Sequence, residues 1–281
     1  MDSPNSPIVN VPLHNSPIPL KQHYSLPSFA IKYMLENSSA INYFNLLQTC
    51  KILRKFIQGK YAPQIDVLEV EDSYHDSYFS SIQARNKEIT IHGSEDIHKK
   101  FPKNQKLWVR KRLLFKRLFI KDTSTYLEKI NFSAVKEVYL SRTTISIEDY
   151  KKLLVPSIEI MYVDGPGVAE GFVTEQFDII PYTLKHLPNL KSFKLPWNPA
   201  LTAFDELTAI KRDKRLQKAE IYFYVADLDK KSLSEFISEQ MSPKSTLCLR
   251  FECGVPKTFK NRYQKFASEF NKISFAKIYI E

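Results

Sequence analysis

The feature that most constrains the fold is a short apolar pattern that recurs along residues 59 to 281. Each copy reads apolar-x-x-apolar-x-apolar, and its last two apolar positions share one face of a β-strand. The copies are Ile65/Leu68/Val70, Phe115/Leu118/Ile120, Val135/Val138/Leu140, Ile158/Met161/Val163, Leu190/Phe193/Leu195 and Leu216/Ala219/Ile221, with looser copies beginning near Asn86, Thr246 and Ile273. Their first positions are 20 to 32 residues apart, which leaves room for a helix after each strand. The sequence therefore predicts an α/β body.

The most complete copy is Leu187-x-x-Leu190-x-x-Phe193-x-Leu195-x-x-Asn198. It resembles a leucine-rich repeat, a family in which the asparagine binds the backbone of neighbouring turns. The other copies resemble the family in degenerate form, since they have Ser73, Thr123, Thr143, Pro166 or Tyr224 at that position. The resemblance implies an irregular solenoid of parallel strands and helices over residues 59 to 281. A doubly wound α/β domain, which also alternates strands and helices, stays open as the alternative.

In a solenoid, the residue between the two buried strand positions faces the concave side and can contact a partner. These residues are Glu69, Thr90, Phe119, Tyr139, Tyr162, Lys194, Glu220, Arg250 and Lys277. We predict that a partner binds Phe119, Tyr139, Tyr162, Lys194 and Arg250. The three aromatic residues on successive strands would form a patch of the kind enriched at protein interfaces. The alternative is that a neighbouring loop covers them.

Residues 1 to 58 have a different composition. Residues 1 to 25 contain Pro4, Pro7, Pro12, Pro17 and Pro19 among serines and asparagines, which predicts a disordered leader. Residues 26 to 58 contain 18 apolar residues among 33 and no glycine, and their spacing predicts three short helices. A unit this small cannot bury so much apolar surface by itself. Either the rest of the chain or another subunit must cover it.

Residues 26 to 58 resemble an F-box of the divergent kind abundant in nematodes. The resemblance rests on Leu26-Pro27, Ile31, Met34-Leu35, Tyr43, Leu46-Leu47, Thr49-Cys50-Lys51, Leu53 and Phe56, over about 30 residues. An F-box docks onto the Skp-type linker of a cullin-RING ubiquitin ligase. The resemblance implies that the linker-binding residues are Leu26, Pro27, Ile31, Leu35, Leu47, Cys50 and Lys51.

The positive charge of the chain is concentrated in one segment. The net charge is +10, and residues 99 to 121 contain ten Lys or Arg and no Asp or Glu, so the remainder is neutral. Such a segment attracts acidic partners or phosphate polymers. A nucleic-acid-associated factor is therefore one alternative function, and a solvated basic element is the simpler interpretation.

The sequence contains no pattern typical of an enzyme. Three cysteines and six histidines have no metal-binding spacing, and six glycines are few for a phosphate-binding fold. The segment Asp164-Gly165-Pro166-Gly167 resembles a dinucleotide-binding turn, but Pro166 removes a backbone donor and the third glycine is one place late. We therefore predict no catalytic residue, no metal and no cofactor.

The sequence contains no signal peptide and no apolar run long enough to span a membrane. The cysteine count is odd, which argues against a disulfide framework. We therefore expect a protein of the cytoplasm or nucleus that does not bind membranes. The predicted function is that of a substrate adaptor of a ubiquitin ligase, which binds the Skp-type linker and cullin ligase through residues 26 to 58 and an unknown target protein through the body. A scaffold without ligase contact is the other alternative.

Overall fold

A computed structural model describes residues 27, 29–30, 33–34, 64–72, 81–85, 88–92, 106–164, 177–197, 203–223, 228–251, 256–273 and 276–281. The predicted leader, most of the F-box-like unit, Asn198 and the turn after Asp164 lie outside the described residues. The description below concerns the predicted body.

Eleven strands form one mixed sheet among the described residues. They are β1 (Gln64–Glu71), β2 (Ser81–Arg85), β3 (Glu88–His92), β4 (Leu107–Lys116), β5 (Ile130–Asn131), β6 (Glu137–Ser141), β7 (Ile160–Asp164), β8 (Ser192–Pro196), β9 (Leu216–Phe223), β10 (Met241–Phe251) and β11 (Lys277–Ile280). Every pairing is parallel except the one between β2 and β3.

Six helices follow the described strands. They are α1 (Ile120–Glu128), α2 (Ile147–Leu153), α3 (Ile179–His186), α4 (Phe204–Thr208), α5 (Lys230–Gln240) and α6 (Lys257–Ile273). Three of them begin at a side-chain cap, as Ser146, Asp178 and Asp229 accept hydrogen bonds from the first-turn amides of α2, α3 and α5. These caps satisfy amides that have no partner within the helix.

The strand order is β11-β10-β9-β8-β7-β6-β4-β1-β3-β2, with β5 paired to the start of β4. From β4 onward, each long strand therefore lies beside the next one in the sequence, with a helix between them. Parallel crossovers are right-handed, so a sheet that grows in one direction carries these helices on one face. This order is typical of a solenoid, whereas a doubly wound sheet has helices on both faces. At the other end the order changes, because β1 lies between β3 and β4.

Burial distinguishes the two faces of the sheet. The helix-facing residues of the central strands are buried, among them Val138 and Leu140 on β6, Met161 and Val163 on β7, and Phe193 and Leu195 on β8. They form one apolar core with buried helix residues such as Tyr150, Leu184, Phe236 and Tyr263. We call the opposite surface the open face.

The predicted strand positions are confirmed for the copies at Ile65, Val135, Ile158, Leu190 and Leu216, because the last two apolar residues of each copy lie buried on a strand. The copy at Phe115 was placed wrongly. β4 ends at Lys116, Arg117 has a φ of 57°, and Ile120 begins α1. The buried strand residues of this repeat are Leu113 and Phe115. The copy that begins at Arg110 lacks an apolar first position, which explains why the pattern missed it.

Polar side chains join the turn before one strand to the turn before the next. The Ser157 hydroxyl lies 2.9 Å from the Ser133 carbonyl oxygen, and the Asn189 amide donates to the Pro156 carbonyl at 2.8 Å. Gln240 donates to the carbonyl oxygens of Thr208 and Ile210 at 2.9 and 2.7 Å. We call these bonds, together with those of Arg212, the inter-repeat contacts.

Arg212 makes the most extensive inter-repeat contact. Its guanidinium donates to the carbonyl oxygens of Leu184, Leu187 and Leu190 at 2.9, 3.1 and 2.7 Å. These carbonyls lie in the last turn of α3 and in the segment between α3 and β8. The last carbonyls of a helix have no partner within the helix. Burial lowers the pKa of Arg212, but a guanidinium keeps its charge at any ordinary pH.

We predict that Arg212→Ala lowers the free energy of unfolding by about 2 to 3 kcal/mol, because it leaves three half-buried carbonyls without their charged donor. Arg212→Lys should recover only part of the loss, since an ammonium cannot match the planar fork. Urea unfolding measures both. Lys211→Ala, at an exposed neighbouring position, is the matched control, and an equal loss in that variant would contradict the assignment.

The outer edge of β11 is blocked by a side chain. The Phe251 amide donates to the Glu281 carbonyl, and the Glu281 amide donates to the Leu249 carbonyl. These bonds direct the backbone of the odd-numbered residues of this strand toward β10, so the backbone of Ile278 points outward. Asn271 on α6 occupies that edge, because its side chain accepts from the Ile278 amide and donates to the Ile278 carbonyl, both at 2.8 Å. A free edge would invite pairing with another chain.

We predict that Asn271→Ala lowers the free energy of unfolding by about 1 to 2 kcal/mol and promotes self-association through the exposed edge. Sedimentation velocity over a range of concentrations, combined with urea unfolding, measures both effects. The control is Lys272→Ala at the adjacent exposed position. Loss of stability without any concentration dependence would refute the edge-protecting role and leave Asn271 with a local role only.

Candidate partner-binding face

The register of the sheet places the predicted interface residues in adjacent rows. One row across the open face runs through Leu114, Tyr139, Tyr162, Lys194, Glu220, Cys248 and Tyr279. Tyr139, Tyr162 and Lys194 therefore lie together as the alternation predicted. Arg250 shares their face but lies one row farther along, where it pairs with Tyr222. Whether these residues bind a partner stays a prediction.

The placement of Phe119 on a strand is wrong. Phe119 is the residue before α1, and the strand residue beside Tyr139 is Leu114. The error follows from the misplaced copy at Phe115. The side chain of Phe119 is still exposed, at 47%, but it does not extend the row of strand residues.

Tyr139 and Tyr162 form the centre of the open face. Their rings meet edge to face, with centroids 5.1 Å apart and planes at 87°, an arrangement that aromatic pairs favour. The Tyr162 hydroxyl lies 3.0 Å from Ser192 Oγ, and the Tyr139 hydroxyl donates to Glu137 Oε2 at 3.4 Å. Burial and the nearby Glu137 raise the pKa of Tyr139, so its hydroxyl remains a donor at neutral pH. Both side chains are half-buried.

Cations lie on both sides of the tyrosine pair. The Arg112 guanidinium is 5.4 Å from the Tyr139 ring centroid, and Lys218 Nζ is 5.8 Å from the Tyr162 ring centroid. Leu114 and Ile160 add apolar surface on the same face. We call Leu114, Tyr139, Ile160 and Tyr162 the tyrosine patch. The sequence pattern missed Leu114, Ile160 and Lys218, although alternation along correctly placed strands would have found them.

Beyond the tyrosine patch, ion pairs cross the sheet from β7 to β11. Lys194 lies between Asp164 and Glu220, at 2.9 and 3.3 Å, and Arg250 lies between Glu220 and Glu281, at 3.2 and 2.6 Å. The Arg250 hydrogen bond holds the pKa of Glu281 below its ordinary value. The charges of Lys194 and Arg250 are thus already compensated within the chain, and the Lys194 side chain is only 12% exposed.

The basic segment is not a continuous cationic surface where the structure describes it. Its residues on and after β4 alternate in direction, and four of them pair with acids of β1 and β6. The pairs are Lys111 with Asp66 at 2.8 Å, Arg112 with Glu137 at 2.6 Å, Lys116 with Glu69 at 2.5 Å, and Arg117 with Glu71. Phosphate contacts need cations that can exchange their counterions freely. These four cations therefore give little support to nucleic-acid binding.

Cys248 is the cysteine of the row and is buried, at 6% exposure. Burial, followed by the negative charges of Glu281 and Glu220, raises the pKa of its thiol to about 11. The reactive form of cysteine is the thiolate, and this environment disfavours the thiolate of Cys248. Glu220, the carboxylate of the row, pairs with Lys194 and Arg250.

A pocket of 510 Å³ lies away from the open face, at the start of β5 and beside α1 and α2. Asp149 in its wall is held by Lys152 and by hydrogen bonds from the Ser124 hydroxyl and from its own amide to Ser146. Its carboxylate is therefore fully engaged. Within the described ranges, no group of three or more His, Cys, Asp or Glu could hold a metal ion. The helices described here also include none long and apolar enough to cross a membrane.

Five residues of the predicted F-box-like unit are described. Phe29, Ala30, Tyr33 and Met34 are helical, and the large side chains Phe29, Tyr33 and Met34 are 73%, 69% and 40% exposed. Phe29 and Tyr33 are four residues apart, the spacing at which residues of a helix share a face. Pro27 is exposed as well. The other predicted linker-binding residues, Leu26, Ile31, Leu35, Leu47, Cys50 and Lys51, lie outside the described residues.

Comparisons with known proteins do not assign the chain to a family: no protein-family model matches it, and no curated protein matches it significantly.

We predict that Cys248 resists alkylation in the folded protein, because burial and two carboxylates suppress its thiolate. Iodoacetamide at pH 8 should modify Cys248 at least tenfold more slowly in the native chain than in 6 M guanidinium. Peptide mass spectrometry resolves this site from the other cysteines. Equal rates in the two conditions would contradict the burial of Cys248 and show that its position on β10 is open to solvent.

Proposed function

We propose that this chain is a substrate adaptor of a cullin-RING ubiquitin ligase. Residues 26 to 58 bind the Skp-type linker, and the leucine-rich-repeat-like body binds a target protein through its open face. The chain contributes binding and geometry, while the ubiquitin-transfer chemistry belongs to its partners. Holding the target beside the ligase raises the local concentration of the target's lysines.

The observation that carries the proposal is the exposure of large apolar side chains in the segment that bears the F-box resemblance. Phe29 and Tyr33 are about 70% exposed. Large side chains on one helix face are ordinarily buried against another element. Here the described body does not bury them, which favours a second subunit as the cover.

The body supports the second half of the proposal. Its helices and apolar core occupy one face of the sheet, and the other face presents the tyrosine patch. Tyrosine and arginine are enriched where proteins bind each other.

We predict that Ile31→Glu or Leu35→Glu abolishes binding to the Skp-type linker, because a charge at an apolar contact stays desolvated in the complex. The measurement is co-purification of the full chain with the linker, quantified against wild type. Lys32→Ala, in the same predicted helix, is the control and should bind as wild type does.

Urea unfolding of both variants distinguishes an interface from a core. If the charged variants lose the linker but keep the stability of the body, the two apolar positions belong to a docking surface. If they unfold the body, these side chains are core and the adaptor proposal fails. Wild-type protein that does not bind the linker would also overturn it.

A further inference from the structure

The charges around the tyrosine patch are not balanced. Six cations on and near the sheet each have an acidic partner: Lys111, Arg112, Lys116, Arg117, Lys194 and Arg250. Lys218 is exposed and has no acidic partner among the described residues. Its ammonium group instead lies over the edge of the patch, beside Tyr162.

The same end of the strands carries a second surplus of positive charge. Glu159, immediately before β7, is shared between Lys136 at 3.6 Å and Lys191 at 2.5 Å. The hydrogen bond from Lys191 is the main reason that the pKa of Glu159 is lowered. Both lysines remain largely solvent-exposed, at 60% and 41%. Lys136 and Lys191 therefore add exposed positive charge just before β6 and β8, where they precede Glu137 and Ser192, the first residues of those strands.

The other half of the open face has the opposite character. Toward the carboxyl ends of β7 to β11, the ion-pair cluster contains three acids, Asp164, Glu220 and Glu281, and two cations, Lys194 and Arg250. An acidic ligand is thus attracted to the Lys218 side of the patch and repelled from the far side. The asymmetry gives the face both a preferred ligand charge and a preferred position for it.

The patch is also prepared for an aromatic or aliphatic side chain. Ser192 and Glu137 fix the two hydroxyl groups, so the rings are held in place before any ligand arrives. A surface that is ordered in advance loses little conformational entropy on binding. From β4, which carries Arg112, to β9, which carries Lys218, there are four strand spacings, about 19 Å. An extended peptide of about six residues covers that distance.

We propose that the open face binds an acidic peptide segment of the target protein, with an apolar or aromatic side chain on the tyrosine patch and a carboxylate at Lys218. This inference rests on the proposed function, since it names the chemistry of the target. It assigns the binding energy to Tyr139, Tyr162 and Lys218 and excludes Phe119 from the contact.

The test uses the full chain and a fluorescent random copolymer of glutamate and tyrosine, with the lysine-tyrosine copolymer as the comparison. Fluorescence anisotropy should show binding to the acidic copolymer at least tenfold tighter than to the basic one. Lys218→Glu should weaken binding at least tenfold. Lys265→Glu, an equal charge change at an exposed position on α6, should change it less than twofold.

Tyr162→Leu provides a second variant that keeps an apolar side chain and removes the ring, and we expect a three- to tenfold loss. Its unfolding curve shows whether the variant folds. If it does not, Lys218→Glu alone decides. Equal binding of the two copolymers, or equal effects of Lys218→Glu and Lys265→Glu, would overturn the proposal. The wild-type chain could instead bind a single-stranded oligonucleotide more tightly than the acidic copolymer, with Lys218→Glu abolishing that binding. This result would overturn the acidic-peptide proposal in favour of a nucleic acid.

Linker co-purification with Lys218→Glu separates this inference from the adaptor function. The variant should retain the linker while losing the acidic copolymer. If wild type binds the copolymer as described and never binds the linker, the adaptor proposal fails and the acidic-peptide surface stands. If the linker binds but the copolymer does not, the acidic-peptide inference fails and the adaptor proposal stands.

Discussion

The inter-repeat contacts are the interaction on which the arrangement of the body depends. A solenoid repeat contacts chiefly its neighbours, so each strand must obtain its position from the one before it. Here Ser157, Asn189, Arg212 and Gln240 bind carbonyl groups in the turn that precedes the neighbouring strand. These carbonyls lie at helix ends or strand entries, where regular hydrogen bonding stops. The side chains satisfy these acceptors and at the same time fix the start of each strand relative to the previous one. The same side-chain hydrogen bonds thus satisfy backbone carbonyls and fix the relative positions of successive strands.

A sheet that grows in one direction leaves one face without helices. That face needs polar side chains toward solvent, and their arrangement must still favour one strand register. The chain achieves this with cross-strand ion pairs such as Lys116 with Glu69 and Arg112 with Glu137. Exposed pairs contribute little to stability individually, about 1 kcal/mol or less. Their larger effect is on specificity, because like charges on neighbouring strands would disfavour the observed register. The segment with ten cations is therefore explained in part by the acids of β1 and β6 that lie opposite it.

Most of the body could be predicted from the sequence, because a half-buried strand imposes alternation on its own residues. The copies at Ile158 and Leu190 were placed correctly for this reason. The copy at Phe115 failed because Phe115, Leu118 and Ile120 satisfy the same pattern while Arg117 turns the chain and Ile120 begins a helix. Where β4 ends is decided by its pairing with β1 and β6. A local sequence pattern contains no information about which strands pair. The position of β1 between β3 and β4 was unpredictable for the same reason. The candidate site inherited this error at Phe119, whereas Tyr139, Tyr162 and Lys194 were placed in one row.

The tyrosine patch differs from both the core and the ordinary surface in a way that bears on recognition. A core aromatic is closed to ligands, and a fully exposed one must lose side-chain freedom when it binds. Tyr139 and Tyr162 are half-buried, packed edge to face, and tethered through their hydroxyls to Glu137 and Ser192. The rotamers are thus selected by the fold, while part of each ring remains accessible. Lys218 adds a charge that nothing described in the chain neutralises, at the edge of that prepared surface. Rigid apolar contact combined with one uncompensated cation gives selectivity for the sign of a ligand's charge, because an anionic ligand gains attraction there and a cationic one must desolvate against repulsion.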